Sequence, residues 1–222
     1  MKNSLIPHTV GTVTCLLCSL LTLNAQSATY LQSWNVGLTI PDDDAVGLAN
    51  TQTVTGSGID TISLVEVTLL LDGASAWNGD YYAYLHHGGG VTILLNRIGK
   101  TSSNSIGSGT VGMDVTFADG AATDVHQASA TSGTLAGTYQ PDARQADPAV
   151  VTDASPRTAF LSNFQGMSAD GDWTLFIADM SGGDQGQLVK WSLSITGTVV
   201  PEPSSSLLVM GGACLLLLRH RR

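Results

Sequence analysis

Cysteine is nearly absent from this 222-residue chain: Cys15 and Cys18 lie near one end and Cys214 near the other. Residues 29–199 hold none, so no disulfide can staple them, and packing, hydrogen bonds or ions must supply their stability. Cations are scarce as well. Arg97, Lys100, Arg144, Arg157 and Lys190 face 17 acids there, a net charge near −12. Such a surface repels a polyanion, which argues against nucleic acid as a partner. No window outside the two ends carries a helical period of any length. The motifs of common catalytic chemistry are missing too: there is no G-x-S-x-G elbow and no H-E-x-x-H pair. A calcium loop of the D-x-D-x-D-G type with a closing Glu is also lacking.

What the middle of the chain does contain is short alternating runs. Ile62 to Leu71 is rich in apolar and β-branched residues between Gly/Ser and Asp-Gly turns. Tyr81, Ala83 and Leu85 alternate with Tyr82, Tyr84 and His86. The turn His87-Gly88-Gly89-Gly90 then leads to Val91, Ile93 and Leu95, which predicts a hairpin. Val111 to Phe117, Trp173 to Ile177 and Leu188 to Ile195 complete the pattern. Regular strands with Gly/Asp turns predict an all-β, antiparallel sandwich. Ala121 to Pro156 reads as a long loop with one strand at Thr134 to Tyr139.

The ends read as addresses. Lys2, the apolar stretch Val10 to Leu23, and small residues Ala25, Ser27 and Ala28 make 1–28 a secretory signal peptide and predict a helix there. At the other end Pro201-Glu202-Pro203 precedes an uncharged run over 204–218 and the basic end 219–222, with Arg219, Arg221 and Arg222. The apolar part, Leu207 to Leu218, would span about 18 Å as a helix against a hydrocarbon core of about 30 Å. That is enough to stop a chain in a membrane, with the arginines on the cytoplasmic side. Residues 200–222 resemble the PEP-CTERM sorting signal of Gram-negative bacteria. The resemblance implies an exosortase as partner, contact with the membrane during sorting, cleavage near residues 201–203, and delivery to the cell surface or exterior.

A second resemblance covers approximately residues 34–198. It rests on Asn78-Gly79-Asp80, on Gly171-Asp172-Trp173-Thr174-Leu175 before Asp179, and on the run from Gly186 to Thr198. Within that run Leu188, Trp191, Leu193 and Gly197 carry the pattern. These segments resemble the P domain (Homo B domain) that follows the catalytic domain in kexin-like and furin-like serine proteases. The resemblance implies a jelly-roll β-sandwich over 29–199 that stabilises or docks onto something else. In that family the catalytic Ser, His and Asp belong to the preceding domain, so no endopeptidase activity carries over to this chain. Asn78 stands where the family often has Arg, and His86-His87-Gly88 replaces a Pro-Ser-Gly turn.

Sixteen of the 17 acids are Asp, a residue that forms turns and also supplies the hard oxygens calcium takes. The candidate ligands are Asp114 and Asp119 flanking Phe117, Asp124 beyond them, and Asp80, which could instead cap backbone amides. The P-domain resemblance adds weight to Ca²⁺ as a stabilising ion. His86 and His87 are adjacent, so on a strand they face opposite sides and cannot chelate one ion; they read as a solvent-facing turn pair. Trp173 and Trp191 read as core residues. Trp77, with Tyr81, Tyr82 or Tyr84, is a candidate aromatic platform for sugar. The functional expectation is therefore an exported, non-catalytic surface or extracellular-matrix protein that works by binding or assembly. A carbohydrate-binding module of the exopolysaccharide layer, another surface protein as partner, and an accessory domain of a separate secreted serine protease stand beside it.

Overall fold

The computed structural model describes residues 26–72, 76–128 and 133–199. The expected C-terminal span and all but the last three residues of the expected leader lie outside them. Among the described residues no helix is long and apolar enough to cross a membrane.

Among the described residues nine strands form two sheets: β1 (Gln26–Thr39), β2 (Leu48–Val54), β3 (Thr61–Asp72), β4 (Tyr81–His87), β5 (Gly90–Asn96), β6 (Met113–Phe117), β7 (Leu135–Tyr139), β8 (Gly171–Asp179) and β9 (Gln187–Val199). One sheet runs β1-β9-β3-β6-β7 and the other β2-β8-β4-β5. With β7 set aside, the remaining eight strands cross between the sheets at every connection but the β4–β5 hairpin, in jelly-roll order. The all-β sandwich is as the alternation predicts. The expectation of a wholly antiparallel fold needs one correction: β7 pairs β6 in parallel, from Met113↔Leu135 to Phe117↔Tyr139. Residues 118–134 separate the two strands, a connection long enough for the return crossover that parallel pairing demands.

β2 carries no alternating pattern, and that of β1, with Ala28, Tyr30, Trp34 and Val36 on the core side, is broken at Gln32. Their sequences are polar mixtures, and they are strands because β9 and β8 supply their hydrogen-bond partners, as in Trp34↔Trp191 and Thr51↔Thr174. The ladder of β1 begins at Gln26↔Val199, three residues before the boundary read from sequence.

The core fills the space between the sheets. Val65, Val67, Leu69 and Leu71 of β3 meet Trp173, Leu175 and Ile177 of β8 and Leu188, Trp191, Leu193 and Ile195 of β9, all buried. The spacing from Leu188 to Trp191 breaks the two-residue period, yet both side chains face inward. The pairs Leu70↔Lys190 and Leu71↔Leu188 show why: Val189 is an extra residue in β9, and the bulge re-phases the strand. A like irregularity between Ile62 and Leu64 buries Ile62 and Val65 and turns Leu64 outward.

Candidate functional site

The outer face of the four-stranded sheet carries an aromatic groove. Along β4, Tyr81, Ala83 and Leu85 point into the core while Tyr82, Tyr84 and His86 point out. Cross-strand register then assembles rows from three or four strands. One row is Ala49, Phe176, Tyr84 and Ile93; the next is Thr51, Thr174, His86 and Val91. Phe176 and Tyr84 stack at 4.7 Å and 15°, and Tyr82 stands 6.0 Å from Tyr84. Gly47 makes room for this stack, because a Cβ there would meet Phe176 Cζ at 2.8 Å. Burial raises the Tyr82 phenol pKa, with Tyr84 adding to it, so the ring stays neutral.

The chain from Asp142 to Ala159 forms one wall. It docks along β5 through Ala143 N–H to Ile93 O (2.9 Å) and Ile93 N–H to Ala159 O (3.1 Å). Gln145 of this wall, with Tyr82, Tyr84, His86, Val91, Ile93 and Thr174, encloses a groove of about 500 Å³. A second section of about 670 Å³ continues it toward Met167, Asp170 and Asp172 and shares His86 and Thr174 with the first.

Buried charge fixes the wall. Arg144, 2% exposed, donates to Asp142 Oδ1 (3.2 Å), Asp124 Oδ2 (2.8 Å) and Asp153 O (3.0 Å). Arg157 donates to Asp142 O, Gln140 Oε1 and Pro141 O. His126, 1% exposed, places Nδ1 2.7 Å from Asp142 Oδ2 and Nε2 2.8 Å from Lys100 O. Two acceptors suit the doubly protonated ring. Burial alone would lower the His126 pKa, but the hydrogen bond and charge of Asp142 and the bond to Lys100 O outweigh it, and the net shift is upward. Lys100 Nζ donates to Pro148 O and Ala149 O and ties down the wall's far end.

The four aspartates read as calcium ligands are scattered. Asp80 pairs with Arg97 at 3.2 Å. Asp114 is exposed on β6. Asp119 accepts from Leu161 N–H (3.0 Å) and Ser162 N–H (2.8 Å) and so caps a 3-10 turn. Asp124 belongs to the arginine network. They do not fit one ion, and among the described residues no three His, Cys, Asp or Glu side chains group as metal ligands. Acid does concentrate at the end of β8. There Asp179, 1% exposed, accepts from Ser181 N–H at 3.2 Å, and its pKa is pushed up to about 6 by burial, with Asp80 and Asp42 adding. Burial likewise raises the Asp80 pKa, against the pull of Arg97.

The histidine pair needs a correction. His86 is exposed, but His87 is 4% exposed and stacks on Trp173 at 3.9 Å and 2°, with its ring nitrogens on Ser168 O (2.7 Å) and Asp172 O (3.0 Å). The aromatic platform needs one too. Tyr81 is a core residue and Trp77, 37% exposed, does not line the groove; Phe176, which no sequence pattern singles out, stacks behind Tyr84 instead. Of the sequence motif, Trp173, Leu175, Leu188, Trp191 and Leu193 are core residues. Gly79, Gly186 and Gly197 sit where a Cβ would collide with Ser108 N, Tyr81 Oη and Thr61 O respectively. Pro201, Glu202, Pro203, Arg219, Arg221 and Arg222 lie outside the described residues.

No curated protein matches the chain. Among solved structures, the complex of the Aeromonas sobria serine protease (ASP) with the chaperone ORF2 contains a chain similar over 78% of this one, at 15% identity and a TM-score of 0.44. The similarity covers 27% of that chain, so this protein spans about a quarter of its length. From Asp142 through the groove wall, β8 and most of β9, residues 142–195 match the family model of the proprotein convertase P-domain.

Proposed function

We propose that the protein is an exported, non-catalytic binding module whose recognition surface is the groove on the outer face of the four-stranded sheet. One observation carries this reading: Tyr82, Tyr84 and Phe176 gather on a face that a solvated sheet ordinarily fills with polar side chains. A P domain is an accessory domain rather than a catalytic one, and the match over 142–195 accords with that. The leader 1–28 and the PEP-CTERM-like tail 200–222 would deliver the sandwich through an exosortase at the membrane to the surface or extracellular matrix of a Gram-negative cell. Leader cleavage directly after Ala25 would leave the whole β1 ladder in place.

The test is retention on cell-envelope and matrix material from the producing cells. Wild-type protein is expected to be retained, and the Tyr82→Ala/Tyr84→Ala double variant to pass through. Equal retention would remove the groove as the recognition surface. The P-domain match also favours a second reading, an accessory partner of a separate secreted serine protease, which co-purification with such a protease would support.

A further inference from the structure

If the groove is the recognition surface, as proposed, its shape and lining also constrain the chemistry of its ligand. Its two sections share His86 and Thr174 and are open to solvent along their length. Each falls in the range of a single small-molecule pocket, about 300 to 1,000 Å³. Joined end to end, they suit a chain better than a compact molecule.

An extended peptide would gain most of its affinity by pairing with an open strand edge. Along the groove floor none is available, and the sheet's other edge strand, β2, lines the groove through Thr51 alone. Both β4 and β8 are interior strands, and the outer edge of β5 is taken by Ala143 and Ala159. The ligand must therefore be held by side chains. Phe176 covers one face of Tyr84, which leaves the other to the groove as a fixed apolar plate of the kind a sugar ring packs against. Around it stand hydrogen-bonding groups: the hydroxyls of Tyr82, Thr174 and Thr51, the imidazole of His86, and the amide of Gln145, whose Oε1 is steadied by Thr158 Oγ1 at 3.1 Å.

Charge selects further. Neither section is lined by a Lys or Arg, and the carboxylates in the lining are Asp170 and Asp172. Asp170 accepts hydrogen bonds from Ser57 Oγ and from the N–H groups of Gly56 and Ser57. The Ser57 side-chain bond foremost lowers its pKa, so it stays charged well into acid. A uronate, sulfate or phosphate polymer would meet two carboxylates, no cation, and a body of net charge near −12. We infer that the groove binds a polysaccharide chain free of acidic groups, with one sugar ring packed on Tyr84 and its hydroxyls bonded to Gln145, His86 and Thr174.

The experiment is affinity electrophoresis of the full chain in native gels. The gels contain hydroxyethylcellulose, galactomannan or dextran as neutral probes, alginate as a uronate probe, or no polymer. Retardation by a neutral polymer and none by alginate is the expected result. Tyr84→Ala should weaken that retardation about tenfold, the scale of one aromatic contact. Tyr84→Phe, which keeps the stacked ring, should bind within a few-fold of the parent and shows that the alanine variant fails for want of the ring. Retardation by alginate, by no polymer, or equally with Tyr84→Ala would overturn the inference. So would retention on an immobilised casein digest without retardation by the neutral polysaccharides. If matrix retention still depends on Tyr82 and Tyr84 while the neutral polysaccharides do nothing, the ligand class is wrong and the recognition surface stands.

Discussion

The sandwich has two outward faces, and they are built differently. On the five-stranded sheet the outward rows are mostly hydroxyl-bearing: Thr29 bonds Thr196 at 2.9 Å, Thr68 bonds Thr116 at 3.0 Å, and Ser192 and Ser194 lie between. Leu31, Leu38 and Leu64 are the large exposed apolar side chains of this sheet. On the four-stranded sheet the corresponding rows hold Phe176, Tyr84 and Ile93, with a charge-stitched wall beside them. Water solvates hydroxyl ladders well, whereas stacked aromatic rings left open to it are a cost unless something covers them. This difference is what the proposed recognition surface rests on.

The strongest way to break this contrast is to remove the wall's anchor. Arg144→Ala removes the cation that Asp124 and Asp142 share and leaves these buried carboxylates only Arg157, at 3.5 Å, and His126, which should cost up to about 3 to 5 kcal/mol. Chemical denaturation should register that loss; a loss below about 1 kcal/mol would show that the wall stands without its ion pairs.

The next effect runs the other way. Asp179 has a folded-state pKa of about 6 against an ordinary 3.8, so the native state holds its proton more tightly. Its contribution is present below pH 3.8 and is lost as pH rises through about 6. Asp179→Asn keeps an acceptor for Ser181 N–H without the charge. It should raise stability at pH 7 to 8, by at most about 3 kcal/mol, and flatten the profile between pH 4 and 6. No gain at pH 7 would contradict the buried-acid account.

His126 has the same sign at higher pH. Its pKa is raised, so its stabilisation is complete below about pH 6.5 and fades as pH climbs through the native value. Melting curves of His126→Gln should lose the part of the alkaline slope that the parent shows; an identical slope in both would place the titration elsewhere. The smallest effect belongs to the hydroxyl face. Thr116→Val removes one bond of a half-buried pair and should shift stability by less than about 1 kcal/mol, with groove binding unchanged. A loss of binding there would erase the distinction between the faces.

Much of this fold was legible along the chain because alternation is a local signal. The strand at Ile62 to Leu71 and the hairpin through Gly88 are visible in neighbouring residues alone. The motif spacing of Leu188 and Trp191, puzzling as a period, becomes a bulge once β3 and β1 lie on either side. Strand β2 left no such signal and β1 only a broken one, since polar residues become strand only when a partner ladder satisfies their backbone. The four aspartates read as ligands do not meet because composition reports how many aspartates exist and not where they lie: Asp119 caps a turn and Asp124 answers two arginines.

By itself, the order of residues determined the β class, the lack of disulfides, the acidic body and the identity of the core tryptophans, because each follows from composition or from neighbours a few positions apart. Only the tertiary structure decided which tyrosines face water, that Phe176 backs Tyr84 across 92 positions, and that Asp142, Arg144 and His126 lock one wall. Those outcomes depend on strand register and on burial. A single bulged residue reverses which side a chain presents, so neither can be read one residue at a time.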